Sequence, residues 1–83
     1  MEFFYLIARS VTHAQRMARA LERCGIRSGV MRAPAALTDS GCAYAVRVRR
    51  SQAEEARACL QREQLSPLHI YTRGEAGYRE VIW

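Results

Sequence analysis

At 83 residues, 49% of them hydrophobic and 25% charged, the chain has the size and balance of one small globular domain covering residues 1–83. A chain this short removes only about 60–65% of its unfolded surface from water, which excludes a deep enclosed catalytic cavity and places any chemistry near the surface. No apolar run approaches the roughly 18 residues that span a bilayer, and the apolar start Phe3-Phe4-Tyr5-Leu6-Ile7 lacks the basic lead of a secretory signal, so the expected address is the cytoplasm.

Thirteen cationic residues against eight acidic ones give a net charge of +5, and all thirteen are Arg. The guanidinium fork suits carboxylate and phosphate partners, but an Arg-only set also follows from a GC-rich genome, and we take that origin for the missing Lys. The three cysteines, Cys24, Cys42 and Cys59, are odd in number and widely spaced, with no CxxC pair and no His/Cys cluster. That pattern speaks against a disulfide framework, a structural zinc site and a copper-chaperone role, and the chain is expected to carry no cofactor and no metal.

Residues 3–8 are aromatic and branched apolar types, too few for a normal helix, and predict a central strand buried on both faces. Ser10 or Thr12 then caps a helix, with Thr12 and Gln15 spaced for a capping box. Its inner face carries Val11, Ala14, Met17, Ala18, Leu21 and Cys24, its outer face Arg16, Arg19 and Arg23, and Gly25 ends it. Residues 26–31 predict a weaker strand at an edge, because Ser28 and Gly29 interrupt the apolar run. From Arg32 to Gly41 there is no period, only Pro34, Asp39, Ser40 and Gly41 as punctuation, so a sizeable loop is expected, and loops of that size in compact domains tend to be functional.

Tyr44, Val46 and Val48 alternate with Ala45, Arg47 and Arg49, the period of a strand with one wet face. Ser51 and Glu54 are spaced for a second capping box, and Ala53, Ala56, Cys59 and Leu60 stripe a helix expected to end near Gln64. Residues 68–72 predict a fourth strand, residues 73–77 a turn, and residues 78–83 a short extra strand. The resulting order is a split βαβ arrangement, and the expected fold is an α+β ferredoxin-like βαββαβ sandwich with a four-stranded antiparallel sheet and both helices on one face.

Cys42 stands apart chemically, since it follows Thr38-Asp39-Ser40-Gly41 at the end of the loop where an accessible thiol is expected. It either packs at a strand start or acts as a nucleophile, whereas Cys24 and Cys59 fall on inner helix stripes and read as small buried hydrophobes. The third strand is expected to begin where both helices finish, so a Cys42 thiolate would depend on Arg32, with Arg23 or Arg27 as further candidates, or on loop amides. His13, in the first helical turn, reads as a capping or solvated group at the opposite end of the sandwich.

Ser10-Val11-Thr12-His13-Ala14, Gly25-Ile26, Ala33-Pro34 and Ser40-Gly41-Cys42-Ala43-Tyr44-Ala45-Val46 together resemble, over about residues 4–71, the small selenium/sulfur carrier-like family, leaving residues 72–83 as a C-terminal extension. Two positions depart from its pattern: Ala35 replaces the usual basic residue after the loop proline, and Ala43 replaces the glycine after the cysteine. The resemblance implies a carrier, not a stand-alone enzyme. Cys42 would hold a persulfide or selenopersulfide received from a pyridoxal-phosphate-dependent cysteine desulfurase or selenocysteine lyase and pass it to an acceptor protein, with Pro34, Ser40 and Gly41 shaping the loop.

Two other functions use the sheet. The face free of helices is expected to gather Arg47, Arg49, His69 and Tyr71. An apolar patch of Phe3 or Phe4, Tyr71 and Trp83 would suit a homodimer or a small-ligand regulatory module. RNA binding on the same face ranks behind it, because the third strand offers Ala43, Ala45, Arg47 and Arg49 where a base-stacking sheet needs aromatics.

Overall fold

A computed structural model describes residues 3–37 and 43–82. The elements are β1 (Phe3–Ala8), α1 (Val11–Arg23), β2 (Ser28–Arg32), a short 3-10 turn (Ala35–Leu37), β3 (Tyr44–Arg49), a second 3-10 turn (Arg50–Gln52), α2 (Ala53–Arg62), β4 (His69–Gly74) and β5 (Gly77–Val81). The strands form one antiparallel sheet in the order β2-β3-β1-β4-β5. The four expected strands are joined by the short C-terminal strand expected over residues 78–83, which runs over Gly77–Val81 and makes the sheet five-stranded. The extra strand arises because β4 runs on to Gly74 and a two-residue turn, Glu75-Ala76, returns the chain through Gly77 at φ 111°, a backbone geometry that suits glycine.

β1 lies third in the sheet, and Tyr5, Leu6, Ile7 and Ala8 are all buried, as a central strand of apolar residues requires. Its even-numbered side chains, Leu6 and Ala8, join Val46 and Val48 of β3 and Ile70 of β4 on one face. Ala14, Met17, Ala20 and Leu21 of α1 and Ala56, Cys59 and Leu60 of α2 pack into the same cluster, so both helices cover that face. β2 is an edge strand, as its Ser28-Gly29 interruption predicts, and its ladder with β3 runs from Ser28↔Val48 to Arg32↔Tyr44.

The helix ends differ in detail from expectation. α1 is capped by Ser10, whose hydroxyl accepts from the His13 N–H at 3.1 Å, so the Thr12/Gln15 box does not form. At α2 the Ser51/Glu54 box is absent too, because residues 50–52 close a 3-10 turn and the N-cap, Gln52, makes no side-chain capping bond. Both helices stop in the same way. After α1, Gly25 adopts φ 77°, its N–H reaches Glu22 O, and the Ile26 N–H reaches Leu21 O. After α2, Gln64 takes φ 58°, its N–H reaches Gln61 O, and the Leu65 N–H reaches Leu60 O. In each Schellman ending the apolar residue beyond the turn lies against the core, Ile26 in one and Leu65 in the other.

Leu21 is fully buried on the α1 face and also accepts the Ile26 N–H that ends the helix. Leu21→Ala should cost about 2–5 kcal/mol in urea unfolding, a large part of the roughly 5–15 kcal/mol that holds a small domain together. A change within about 0.5 kcal/mol would contradict the packing described.

Candidate functional site

Cys42, Ser40 and Gly41 lie outside the described residues, but the two ends of their loop are well defined. Arg32, exposed, is the last residue of β2 and pairs with Tyr44. One step further the Ala33 N–H donates to Ala43 O at 2.9 Å, so the backbone next to Cys42 is tied to the start of the loop. Pro34 follows, half-buried, and its carbonyl accepts from the Leu37 N–H at 2.9 Å, closing the Ala35–Leu37 turn. Ala35, where a cation was missing from the sequence pattern, is exposed on that turn.

The register overturns the expected placement of this loop. Tyr44 pairs with Ala8, and α1 starts immediately after that end of β1, whereas the other end of β3, Arg49, pairs with Phe3. β3 therefore begins at the end of the sheet where α1 begins. The reason is that β1 and β3 are antiparallel neighbours, so the start of one lies beside the finish of the other. His13 belongs to the same end as the loop, not the opposite one. Arg27 precedes β2, whose first residue pairs with Val48, and so belongs to the far end; Arg23 is bonded to Glu63 at 3.0 Å. Of the expected cations only Arg32 stands beside the loop, and Arg9, next after β1, is at the same end.

His13 is built into the start of α1. Its N–H donates to the Ser10 hydroxyl, and its Nδ1 accepts from the Arg9 N–H at 3.1 Å, one residue before the cap. The ring thus reaches back over the helix start in the manner of a capping-box side chain but takes the preceding N–H. The expectation of a capping role holds. Burial lowers the His13 pKa below its ordinary value of 6.5, the charges of Arg9 and Arg16 lower it further, and a backbone hydrogen bond to Ser66 opposes them.

The helix layer overturns one expectation: Cys24 and Cys59, 35 positions apart in the chain, form a disulfide with Cα atoms 6.4 Å apart. Cys59 is fully buried and Cys24 packs against the core from its edge. An odd count and wide spacing hid the pair; the usable signal was that both residues sit on the core-facing stripes of helices assigned to one face of the sheet. A bridge closing 35 residues contributes about 3–4 kcal/mol by restricting the unfolded chain. Around it, the Arg62 guanidinium lies 3.2 Å from Cys24 Sγ and the Ala20 carbonyl 3.1 Å from Cys59 Sγ.

The helix-free face carries Arg47, Arg49, His69 and Tyr71 as alternation predicts. Arg47 stacks 4.4 Å over Phe3, Tyr78 meets Tyr5 edge-on at 5.5 Å, and His69 Nδ1 lies 2.9 Å from Glu80 Oε2. Phe4 points instead to the helix side, against the core, and Trp83 lies outside the described residues, so of the expected apolar patch Phe3 and Tyr71 share this face. Ala45, expected on the wet side, is fully buried between its register partners Ile7 and Met31. Among the described residues no three His, Cys, Asp or Glu side chains converge as a metal site, and no helix is long and apolar enough to cross a membrane.

A neutral His13 ring is needed to accept from Arg9, and its lowered pKa means the unfolded chain takes up the proton first. Its contribution to stability is therefore full above 6.5 and is lost as pH falls from there through the lower folded value. His13→Gln, which keeps an uncharged acceptor, should flatten the fall in Tm between about pH 7.5 and 5.5. An unchanged pH slope in the variant would show that the ring does not titrate in this contact.

A sequence model of the family described as "Putative Se/S carrier protein-like" matches residues 3–72, from the first residue of β1 into β4. No curated protein and no solved structure matches the chain. The match covers the loop with its cysteine, the capped start of α1 and both helices, and the chain belongs to this Se/S carrier-like family.

Proposed function

We propose that the protein carries sulfur or selenium on Cys42 as a persulfide or selenopersulfide. The observation that carries this reading is the pairing of Cys24 with Cys59: of the three cysteines in the chain, two are joined to each other, and Cys42 is the thiol that remains. Family membership supplies the chemical class. In the loading step, the Cys42 thiolate attacks the terminal sulfur of a donor persulfide. The donor's S–S bond breaks, its inner sulfur leaves as a thiolate that takes a proton, and Cys42 holds the transferred sulfur. Release to an acceptor thiolate is the same exchange in reverse.

The surroundings support a sulfur anion at this end of the sheet. The loop springs from the end at which α1 begins, where a helix N-terminus favours negative charge, and Arg32 and Arg9 are at the same end. These replace the cation absent at Ala35. Pro34 with its 3-10 turn, and the Ala33 to Ala43 hydrogen bond, hold the loop's ends while Ser40 and Gly41 lead into Cys42. We read the frame as a ferredoxin-like sandwich, β4-β1-β3-β2, extended at one edge by β5. A domain of this kind needs no enclosed pocket for such exchange; its partners would be a cysteine desulfurase or selenocysteine lyase as donor and a thiol-bearing acceptor.

The test is loading by a cysteine desulfurase with cysteine, read by intact mass. The expected result is one added sulfur atom on the native protein, absent in Cys42→Ser. An adduct that survives Cys42→Ser would overturn the reading.

A further inference from the structure

We propose that the Cys24–Cys59 pair is a second sulfur site, separate from Cys42, at which an anionic low-molecular-weight thiol, or its disulfide, adds to Cys24 and not to Cys59. The two sulfurs are unequal. Cys59 lies in the middle of α2, fully buried in the core cluster, with Ala20 O 3.1 Å from its sulfur. Cys24 is the C-cap of α1, half-buried, and its sulfur touches the exposed guanidinium of Arg62 at 3.2 Å. Cys24, half-buried beside exposed Arg62, is therefore the open side of the pair, whereas Cys59 is closed to solvent.

The exchange balances as follows. The small thiolate attacks Cys24 Sγ, the bond to Cys59 breaks, and its electron pair leaves on Cys59 Sγ. That sulfur takes a proton from water and, as a thiol, donates to the Ala20 carbonyl already beside it. A second small thiolate attacks the small thiol's sulfur in the mixed disulfide, releasing Cys24 as a thiolate next to Arg62 and producing the small-molecule disulfide. In sum one protein disulfide and two small thiols become one protein dithiol and one small disulfide. Run backwards, an oxidised small thiol loads Cys24 and Cys59 resolves it.

Arg62 selects the class of partner. It is placed to hold a sulfur anion on Cys24, and a guanidinium at the mouth of the site attracts a thiol that bears carboxylates. The neighbouring cation does not compete, because Arg23 is bonded to Glu63. Both directions pass through a sulfur anion on Cys59 inside an apolar core, which makes Cys59 a poor leaving group and a slow resolving thiol. The mixed disulfide on Cys24 is therefore resolved slowly by Cys59 and is released chiefly by a second small thiol.

Glutathione is a suitable probe, used with the full chain carrying Cys42→Ser so that the carrier thiol plays no part. Treated with oxidised glutathione, the protein that also carries Cys59→Ser should gain one glutathionyl group. The one carrying Cys24→Ser should gain none until it is unfolded in urea. Adding Arg62→Gln to the Cys59→Ser protein should slow uptake by about two- to fivefold at low salt. Equal or faster uptake at Cys59, no uptake at Cys24, or a rate untouched by Arg62→Gln would overturn the proposal. Should Cys24→Ser fail to fold, the Cys42→Ser protein with both other cysteines is partially reduced with glutathione and the adduct mapped: on Cys24 it supports the proposal, on Cys59 it refutes it.

Discussion

The structure depends on β1 being a strand with neighbours on both sides and apolar side chains on both faces. Its pairing with β3 and with β4 sets where everything else begins and ends. Ala8 opposite Tyr44, with the Ala33 N–H on Ala43 O, brings the two ends of the segment between β2 and β3 to the end at which α1 starts, and the Leu68 N–H donates to Ile7 O at 2.8 Å, bringing the approach to β4 to that same end. Burial of Leu6 and Ala8 against both helices makes a slip of one residue costly, since it would exchange them for their neighbours on the opposite face.

Above the sheet, the two helices meet at their C-terminal halves. The contacts there are of unequal weight. The Arg23–Glu63 pair is solvent-exposed and contributes little, whereas the Cys24–Cys59 bridge is covalent and rooted in the core. The bridge also divides the chain's sulfur chemistry by position. The pair lies between the helices, within reach of Arg62, and the third cysteine, Cys42, precedes Ala43, whose carbonyl accepts from the Ala33 N–H.

What was legible in the sequence was what local pattern controls. The apolar run of β1, the alternation of Val46 and Val48 with Arg47 and Arg49, most of the helical stripes and the glycine after α1 each express a short-range rule and appear as expected; Val11 at the start of α1 is instead exposed, and Ala45 is buried where a wet face was expected. The capping boxes failed because two residue types at the right spacing do not decide which of several candidates caps: Ser10 with His13 took the place of Thr12 with Gln15. The extra strand expected near the C-terminus formed as Gly77–Val81, paired with β4 through a two-residue turn between Gly74 and Gly77. Which end of the sheet the loop leaves from is set by the antiparallel pairing of β1 with β3, a non-local relation that no local pattern encodes. The disulfide was hidden because its two halves are 35 positions apart and meet only once both helices settle on one face.

The central claim is that the folded protein has one available thiol, on the Cys42 loop, and a closed pair between its helices. Labelling the native, unreduced protein with an alkylating thiol reagent, followed by peptide mapping, tests it most directly. The account predicts a single modification, on Cys42, with Cys24 reacting only after reduction and Cys59 only after reduction and unfolding. Modification of Cys24 or Cys59 at a rate comparable to Cys42 in the untreated protein would contradict it.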